Sequence, residues 1–258
     1  MTSPNFYDFS QPMKAIIFAA GLGTRLKPFT LSHPKALVEV NGKPMLQRVI
    51  ERLRSAEVTD IVVNVHHFAS QITDFLQAND NFGCRIAISD ESDLLLDTGG
   101  GIAKAAPLLD GDEPFIAYNA DILSDFDITA MIEAHRNSSA GVTLLTSDRS
   151  SSRRIYFDRG NRLRGWQNLN TGECRPDGFH PEESMQAASF NGVHIINAKV
   201  LRALTERAAV EPVFSILPFY LDNASRLDIR SYAPAGAYQW YDIGRNETLA
   251  AARASFRE

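Results

Sequence analysis

From Lys14 to Thr146 the chain alternates short apolar runs with stretches of helical spacing, and that rhythm admits few folds. Lys14-Ala15-Ile16-Ile17-Phe18 is too short for a stable helix and too apolar for a surface loop, so it reads as a buried strand. Met45 to Ser55 follows with Leu46, Val49, Ile50 and Leu53 on one helical face, and Ile61 to Val65 is a β-branched strand. Ala69 to Ala78 reads as a helix, Arg85 to Ser89 as a strand, and Gly101 to Leu109 as a helix behind three glycines. Pro114 to Tyr118, Ile128 to Arg136 and Gly141 to Thr146 continue the series as strand, helix and strand. Strands joined through helices pair in parallel. The expectation is an α/β, Rossmann-like three-layer sandwich with a mostly parallel central sheet, binding its ligands beyond the carboxyl ends of the strands.

After Ser147 the texture changes. Arg153 to Phe157 and Arg162 to Trp166 form an expected hairpin turning at Arg159-Gly160-Asn161, and Thr171 to Glu183 is a long loop. Ala188 to Ile196 is a strand, Lys199 to Ala208 and Pro212 to Leu221 are helices, and Leu227 to Tyr232 and Tyr238 to Tyr241 are short strands before a final helix from Arg245 to Phe256. No internal repeat or linker forces a boundary. The expected organisation is an extension over residues 1–12 and one domain over 13–258, in halves 13–147 and 148–258.

A net charge of −5 argues against a broad nucleic-acid or anionic-membrane surface. The two cysteines, Cys84 and Cys174, are too few for a disulfide scaffold and wrongly spaced for zinc. No apolar run reaches the roughly 18 residues of a spanning helix, and Met1 to Pro12 has no basic-then-apolar leader pattern. A cytoplasmic location is expected. Neither a monomer nor a homo-oligomer is favoured.

The first strand empties into Ala19-Ala20-Gly21-Leu22-Gly23-Thr24-Arg25-Leu26, a glycine-rich, cationic loop. Gly21 and Gly23 let the backbone approach a ligand, free amides can cradle phosphate oxygens, and Arg25 and Lys35 supply positive charge. The loop lacks the third glycine of the dinucleotide fingerprint and the Gly-Lys-Ser/Thr ending of the P-loop, which disfavours both of those folds and a nicotinamide oxidoreductase.

The run from Ala19 to Pro28, with Thr30, Pro34, Lys35 and Leu37 behind it, resembles the signature of the sugar nucleotidyltransferases, also called nucleoside-diphosphate-sugar pyrophosphorylases. The resemblance implies transfer of a nucleoside monophosphate from a triphosphate to a sugar 1-phosphate with release of pyrophosphate. It implies a nucleotide-binding half over 13–147, a sugar-binding half over 148–258, and Mg²⁺ as the cofactor. Ala20, Gly21, Gly23 and Thr24 would bind nucleotide, Arg25 would hold the departing phosphates, and Lys35 would bridge the α-phosphate and the sugar phosphate. Asp97-Thr98-Gly99-Gly100 would read the base through exposed main chain. Asp121, in Asn119-Ala120-Asp121 where relatives usually have Gly-Asp, and Asp242, in Trp240-Tyr241-Asp242-Ile243-Gly244, would hold the metal. On the sugar side relatives carry Glu-Lys-Pro, but Leu163 to Asn168 contains no lysine. Asn119, Trp166, Asn191 and Gly192 are therefore the expected sugar contacts, Trp166 by stacking on a ring face. The glycine-rich helix start looks most like that of N-acetylmuramate-1-phosphate uridylyltransferases. Mannose- and heptose-1-phosphate guanylyltransferases, or a silent regulatory subunit, are the alternatives.

Overall fold

The computed structural model describes residues 13–257. The extension expected over residues 1–12 lies outside the described residues. Strand β1 (Lys14–Phe18) sits at the centre of the sheet. Ala15 and Ile17 point to one face, Ile16 points to the other, and all three are fully buried. Such a strand has no solvent face, which is why it reads as a continuous apolar run rather than an alternating one.

A small hairpin, β2 (Glu39–Val40) and β3 (Lys43–Pro44), leads into α1 (Met45–Ser55), followed by β4 (Asp60–Val65), α2 (Ala69–Ala78) and β5 (Arg85–Asp90). Next come α3 (Asp97–Leu109), β6 (Phe115–Asn119), β7 (Ile122–Ser124), α4 (Ile128–Arg136) and β8 (Val142–Ser147). β5, β4, β1 and β6 lie side by side and all parallel, the arrangement expected of successive crossovers.

Strands β9 (Arg153–Phe157), β10 (Leu163–Asn168) and β11 (Cys174–Arg175) precede the long β12 (Gln186–Ile196). β12 pairs antiparallel with β6, β8 and β9, so it joins the parallel half of the sheet to the second half of the chain. The chain ends through α5 (Ala198–Val210), α6 (Ile216–Asp222), β13 (Ile229–Tyr232), β14 (Trp240–Asp242) and α7 (Asn246–Ser255). β13 runs parallel to β8, while β14 and β7 form a separate antiparallel pair.

Helices α1, α2 and α4 bury their apolar stripes on one face of the sheet, and α3, α5 and α6 cover the other. A third, smaller core joins Leu26, Val38 and Val40 to Leu123, Ile243, Leu249 and Phe256. Around it Asn246 Nδ2 donates to Lys27 O (3.1 Å), and the Arg253 guanidinium donates to Glu39 O (2.8 and 3.0 Å). No described helix is long and apolar enough to cross a membrane.

Two boundaries differ from the sequence expectation, and one contact causes both. Helix α3 begins at Asp97, so Gly99, Gly100 and Gly101 lie inside it and not before it. Helix α6 begins only at Ile216, leaving Pro212 to Phe214 non-helical. The 212–214 segment presses onto the glycines. Phe214 O accepts from Gly99 N (2.9 Å) and Gly100 N (3.2 Å), and a Cβ on Gly100 would lie 2.1 Å from Pro212 O. Close backbone approach offsets the poor helix propensity of Gly99 and Gly100, while Gly101 leaves room for the Glu91 and Asn64 side chains.

Gly100→Ala therefore drives a methyl into main chain that cannot rotate away. It should cost about 1–3 kcal/mol in a urea melt, whereas Gly236→Ala, which meets nothing within 4 Å, should stay within about 0.5 kcal/mol of wild type.

Candidate active site

Three strands end in one row. Phe18 stands opposite Asn64 of β4 on one side and Asn119 of β6 on the other, so the carboxyl ends of β4, β1 and β6 open on a common ledge. Buried Asn64 shapes the exit of β1. Its Oδ1 accepts from Ala19 N (2.7 Å) and Ala20 N (3.3 Å), while its Nδ2 donates to Glu91 Oε1 (2.8 Å). Glu91, wholly buried, accepts from Leu96 N on its other oxygen (3.0 Å). Sequence reading missed both residues. The available signal was a single polar side chain, Asn64, inside the otherwise apolar run Ile61 to Val65.

Beyond Ala20 the loop turns at Gly23, whose φ is +61°. A side chain there would be strained and would also meet Thr30 Cγ2 at 2.8 Å and Lys35 Cβ at 2.9 Å. The bare backbone lets Thr30 Oγ1 donate to Gly23 O (2.9 Å) and brings the stem of Lys35 against the loop. Lys35 then forms an ion pair with Asp121, just past the end of β6.

These groups border a cleft of about 400 Å³. Of the residues expected to bind nucleotide, Ala20, Gly21, Asp97 and Thr98 line it, as do Lys35, Asn119 and Asp121. Leu95 and Val213 add apolar wall. Gly99 and Gly100 do not line it: both are buried, with their amides engaged by Phe214 O, so they do not offer the exposed main chain expected of them. Thr24 is exposed at the start of a 3₁₀ turn (Thr24–Leu26) beside the cleft.

Asp242 arrives from the far end of the chain. β14 pairs with β7 so that Asp242 stands opposite Ile122, and Ile243 N donates to Asp121 O (2.8 Å). Arg25 meets Asp242 around the bare backbone of Gly244, where a Cβ would lie 2.7 Å from Asp242 Oδ1 and 3.2 Å from Arg25 Nη2. Burial raises the Asp242 carboxyl above its ordinary value and the Asp121 charge raises it further, against the opposing pull of Lys35, Arg25 and Arg149. Its Oδ1 is buried with no hydrogen-bond partner among the described residues. Two carboxylates in each other's field, one with an orphaned oxygen, make a donor set that suits a hard divalent cation such as Mg²⁺.

On the sugar side the structure places Trp166, Asn191 and Gly192 as follows. Trp166 packs against the core beneath α3, α5 and α6 and does not line the cleft. Asn191 is wholly buried and its amide is spent internally: Nδ2 donates to Ser147 Oγ and Tyr238 Oη, each at 2.9 Å, and Oδ1 accepts from Arg149 Nε at 2.9 Å. Gly192 sits at a register break in β12, with Asn119 Nδ2 3.1 Å from where its Cβ would be. The sequence reading also passed over Arg149 and treated Trp240 only as a flank of the Asp242 motif. The Arg149 guanidinium lies 4.2 Å from the centre of the Trp240 ring, and the only sequence signal for it was an arginine in a serine-rich connection.

Comparison with known proteins agrees with this geometry. The family model described as Nucleotidyl transferase matches residues 14–155. An N-acetylmuramate alpha-1-phosphate uridylyltransferase of Caulobacter vibrioides is 33% identical over 96% of this chain and 98% of its own length. The protein of the same name from Neisseria meningitidis is 45% identical over 121 residues, which span 47% of this chain and about half (52%) of that relative. Among solved structures, a putative glucose-1-phosphate thymidylyltransferase from Bacillus anthracis superposes with a TM-score of 0.77 over 95% of this chain and 98% of that one, at 19% identity, and so shares the fold. The chain belongs to the nucleotidyl transferase family.

The raised Asp242 carboxyl fixes the sign of a test. The folded state holds this proton more tightly than the unfolded chain, so ionised Asp242 opposes folding above its raised value, and the opposition fades as pH falls toward the ordinary 3.8. Asp242→Asn, which removes the charge and keeps the shape, should melt no lower than wild type at pH 7 without metal. If Asp242 holds Mg²⁺, adding Mg²⁺ should raise the melting temperature of wild type and leave that of Asp242→Asn nearly unchanged.

Proposed function

We propose that this chain transfers a nucleoside monophosphate from a nucleoside triphosphate to a sugar 1-phosphate and releases pyrophosphate, with UTP and N-acetylmuramate 1-phosphate as the preferred pair. The observation that carries the reaction is the grouping of Lys35 and Asp121, which line the cleft that Ala20 and Gly21 border, with Asp242 and Arg25, whose charges act on one another. The choice of pair rests on the names of the two relatives that are 33% and 45% identical. The product would be an activated cell-wall sugar.

The acceptor phosphate is already anionic, so an oxygen of the sugar 1-phosphate attacks the α-phosphorus without a general base. That oxygen–phosphorus bond forms as the bond from the α-phosphorus to the pyrophosphate oxygen breaks. The protein's task is positioning and charge neutralisation. The loop from Gly21 to Gly23 supports the triphosphate through main chain, and Arg25 takes the β/γ end. Lys35, held by Asp121 in the free protein, exchanges part of that contact for phosphate oxygens. Asp121 and Asp242 would hold Mg²⁺, which when bound supplies positive charge against the reacting phosphates. Leu95 and Val213 give the base an apolar seat, and Asn119 faces the sugar. In this reading residues 13–147 carry most of the nucleotide wall and residues 148–258 the acceptor side.

A panel of triphosphates and sugar 1-phosphates, followed by pyrophosphate release, tests the proposal. UTP with N-acetylmuramate 1-phosphate should give the largest kcat/KM. Dominant turnover of GTP with mannose 1-phosphate would move the assignment to a guanylyltransferase, and absence of pyrophosphate with every pair would overturn it. Lys35→Ala and Asp121→Ala should each lower kcat by about 10²–10³-fold, as removal of a charge-stabilising group does.

A further inference from the structure

Arg149, in the connection from β8 to β9, is braced in a way that a surface arginine is not. Its Nε donates to Asn191 Oδ1 (2.9 Å) and its Nη2 to Phe190 O (3.0 Å). The flat face of the guanidinium rests on the Trp240 ring, and Trp240 Nε1 in turn donates to Asn191 O (3.1 Å). Asn191 is itself fixed from the other side by Ser147 and Tyr238. One buried amide and one indole thus hold the head group in a single orientation, with only two of its five N–H groups spent on the fold.

The direction of that orientation follows from strand geometry. Trp240 and Asp242 are two residues apart on β14, so their side chains stand on the same face. A guanidinium lying on Trp240 is therefore on the Asp242 side, and each of the two charges acts on the other. Yet Arg149 forms no ion pair with Asp242 among the described residues, and Asp242 Oδ1 keeps no hydrogen-bond partner. An arginine whose task was to neutralise that carboxylate would have closed on the orphaned oxygen. Arg149 is held back from it, with Nη1 lacking any acceptor among the described residues.

A planar donor fork, partly desolvated and held beside a metal-binding carboxylate without touching it, suits a tetrahedral dianion that enters between them. We propose that Arg149 grips the phosphate of the incoming sugar 1-phosphate through the free edge of its guanidinium, with Asn191 and Trp240 as the positioning residues. The inference rests on the nucleotidyl-transfer reading above and extends it by giving the acceptor phosphate its own residue. Asn191 then serves the sugar side at one remove, and the absence of lysine between Leu163 and Asn168 leaves no gap in charge.

The test is steady-state kinetics of Arg149→Met and Arg149→Lys, with melting temperatures to verify folding. In Arg149→Met the KM for the sugar 1-phosphate should rise about 10- to 100-fold, the loss of one or two charge-assisted hydrogen bonds, while the KM for the triphosphate stays within about twofold. Arg149→Lys keeps charge without the fork and should recover part of the loss. Calorimetric titration of the sugar 1-phosphate alone should show the same weakening. Equal affinity of wild type and Arg149→Met for the sugar 1-phosphate would overturn the proposal. So would parallel losses in triphosphate KM and Mg²⁺ requirement, which would make Arg149 only a support for Asp242. Should wild type release no pyrophosphate with any acceptor, the nucleotidyl-transfer reading fails, and the calorimetric comparison still decides the role of Arg149.

Discussion

The site is organised around an electrostatic conflict. Asp121, just before β7, and Asp242, at the end of β14, are far apart in sequence, yet the pairing of β7 with β14 holds them close enough that the Asp121 charge raises the Asp242 carboxyl. Lys35 relieves one of them by direct pairing, and the Asp242 oxygen is left without a partner. A protein selected for stability alone would not keep a buried, unpartnered carboxylate oxygen next to a second carboxylate. Arg25, Lys35 and Arg149 act on the Asp242 charge, and among the described residues only Lys35 closes into an ion pair with either carboxylate. The arrangement is a stable frame around charges that substrate is required to complete.

Frame and site differ in what made them readable. β1, α1, α2 and α4 follow directly from local pattern, because a buried strand has no polar position and an amphipathic helix repeats its apolar residues every third and fourth place. The signature loop was legible because its glycines, arginine and lysine act close to one another in sequence. Asn64, Glu91 and Arg149 were not, since each takes its role from partners remote in sequence. Trp166 and Asn191 show the opposite error. Both are residue types that bind sugars, but one is claimed by the core and the other by its neighbours.

The three glycines of α3 are the most instructive difference. In sequence they look like an exposed loop reading a base; in the fold Gly99 and Gly100 are the thin side of a helix against which Pro212 to Phe214 packs, and Gly101 makes room for Glu91 and Asn64. The smallness of Gly99 and Gly100 is spent on bringing Val213 to the cleft rather than on exposing amides. A glycine run signals close approach of something, and local sequence does not say whether that partner is a ligand or another part of the same chain.

The small core around Leu26 and Ile243 has a consequence for how the molecule acquires competence. The end of the glycine-rich loop and the small hairpin behind it are packed on α7, and the hydrogen bonds that tie them to it span 214 to 219 residues of chain. The stretch from 14 to 155 carries the family pattern, yet it lacks Asp242 and the part of the small core that Ile243, Leu249 and Phe256 supply. Recognisability and competence therefore reside in different parts of the polypeptide. The packing of the loop depends on contacts with the C-terminal helix, whose long sequence separation carries a large loop-closure cost.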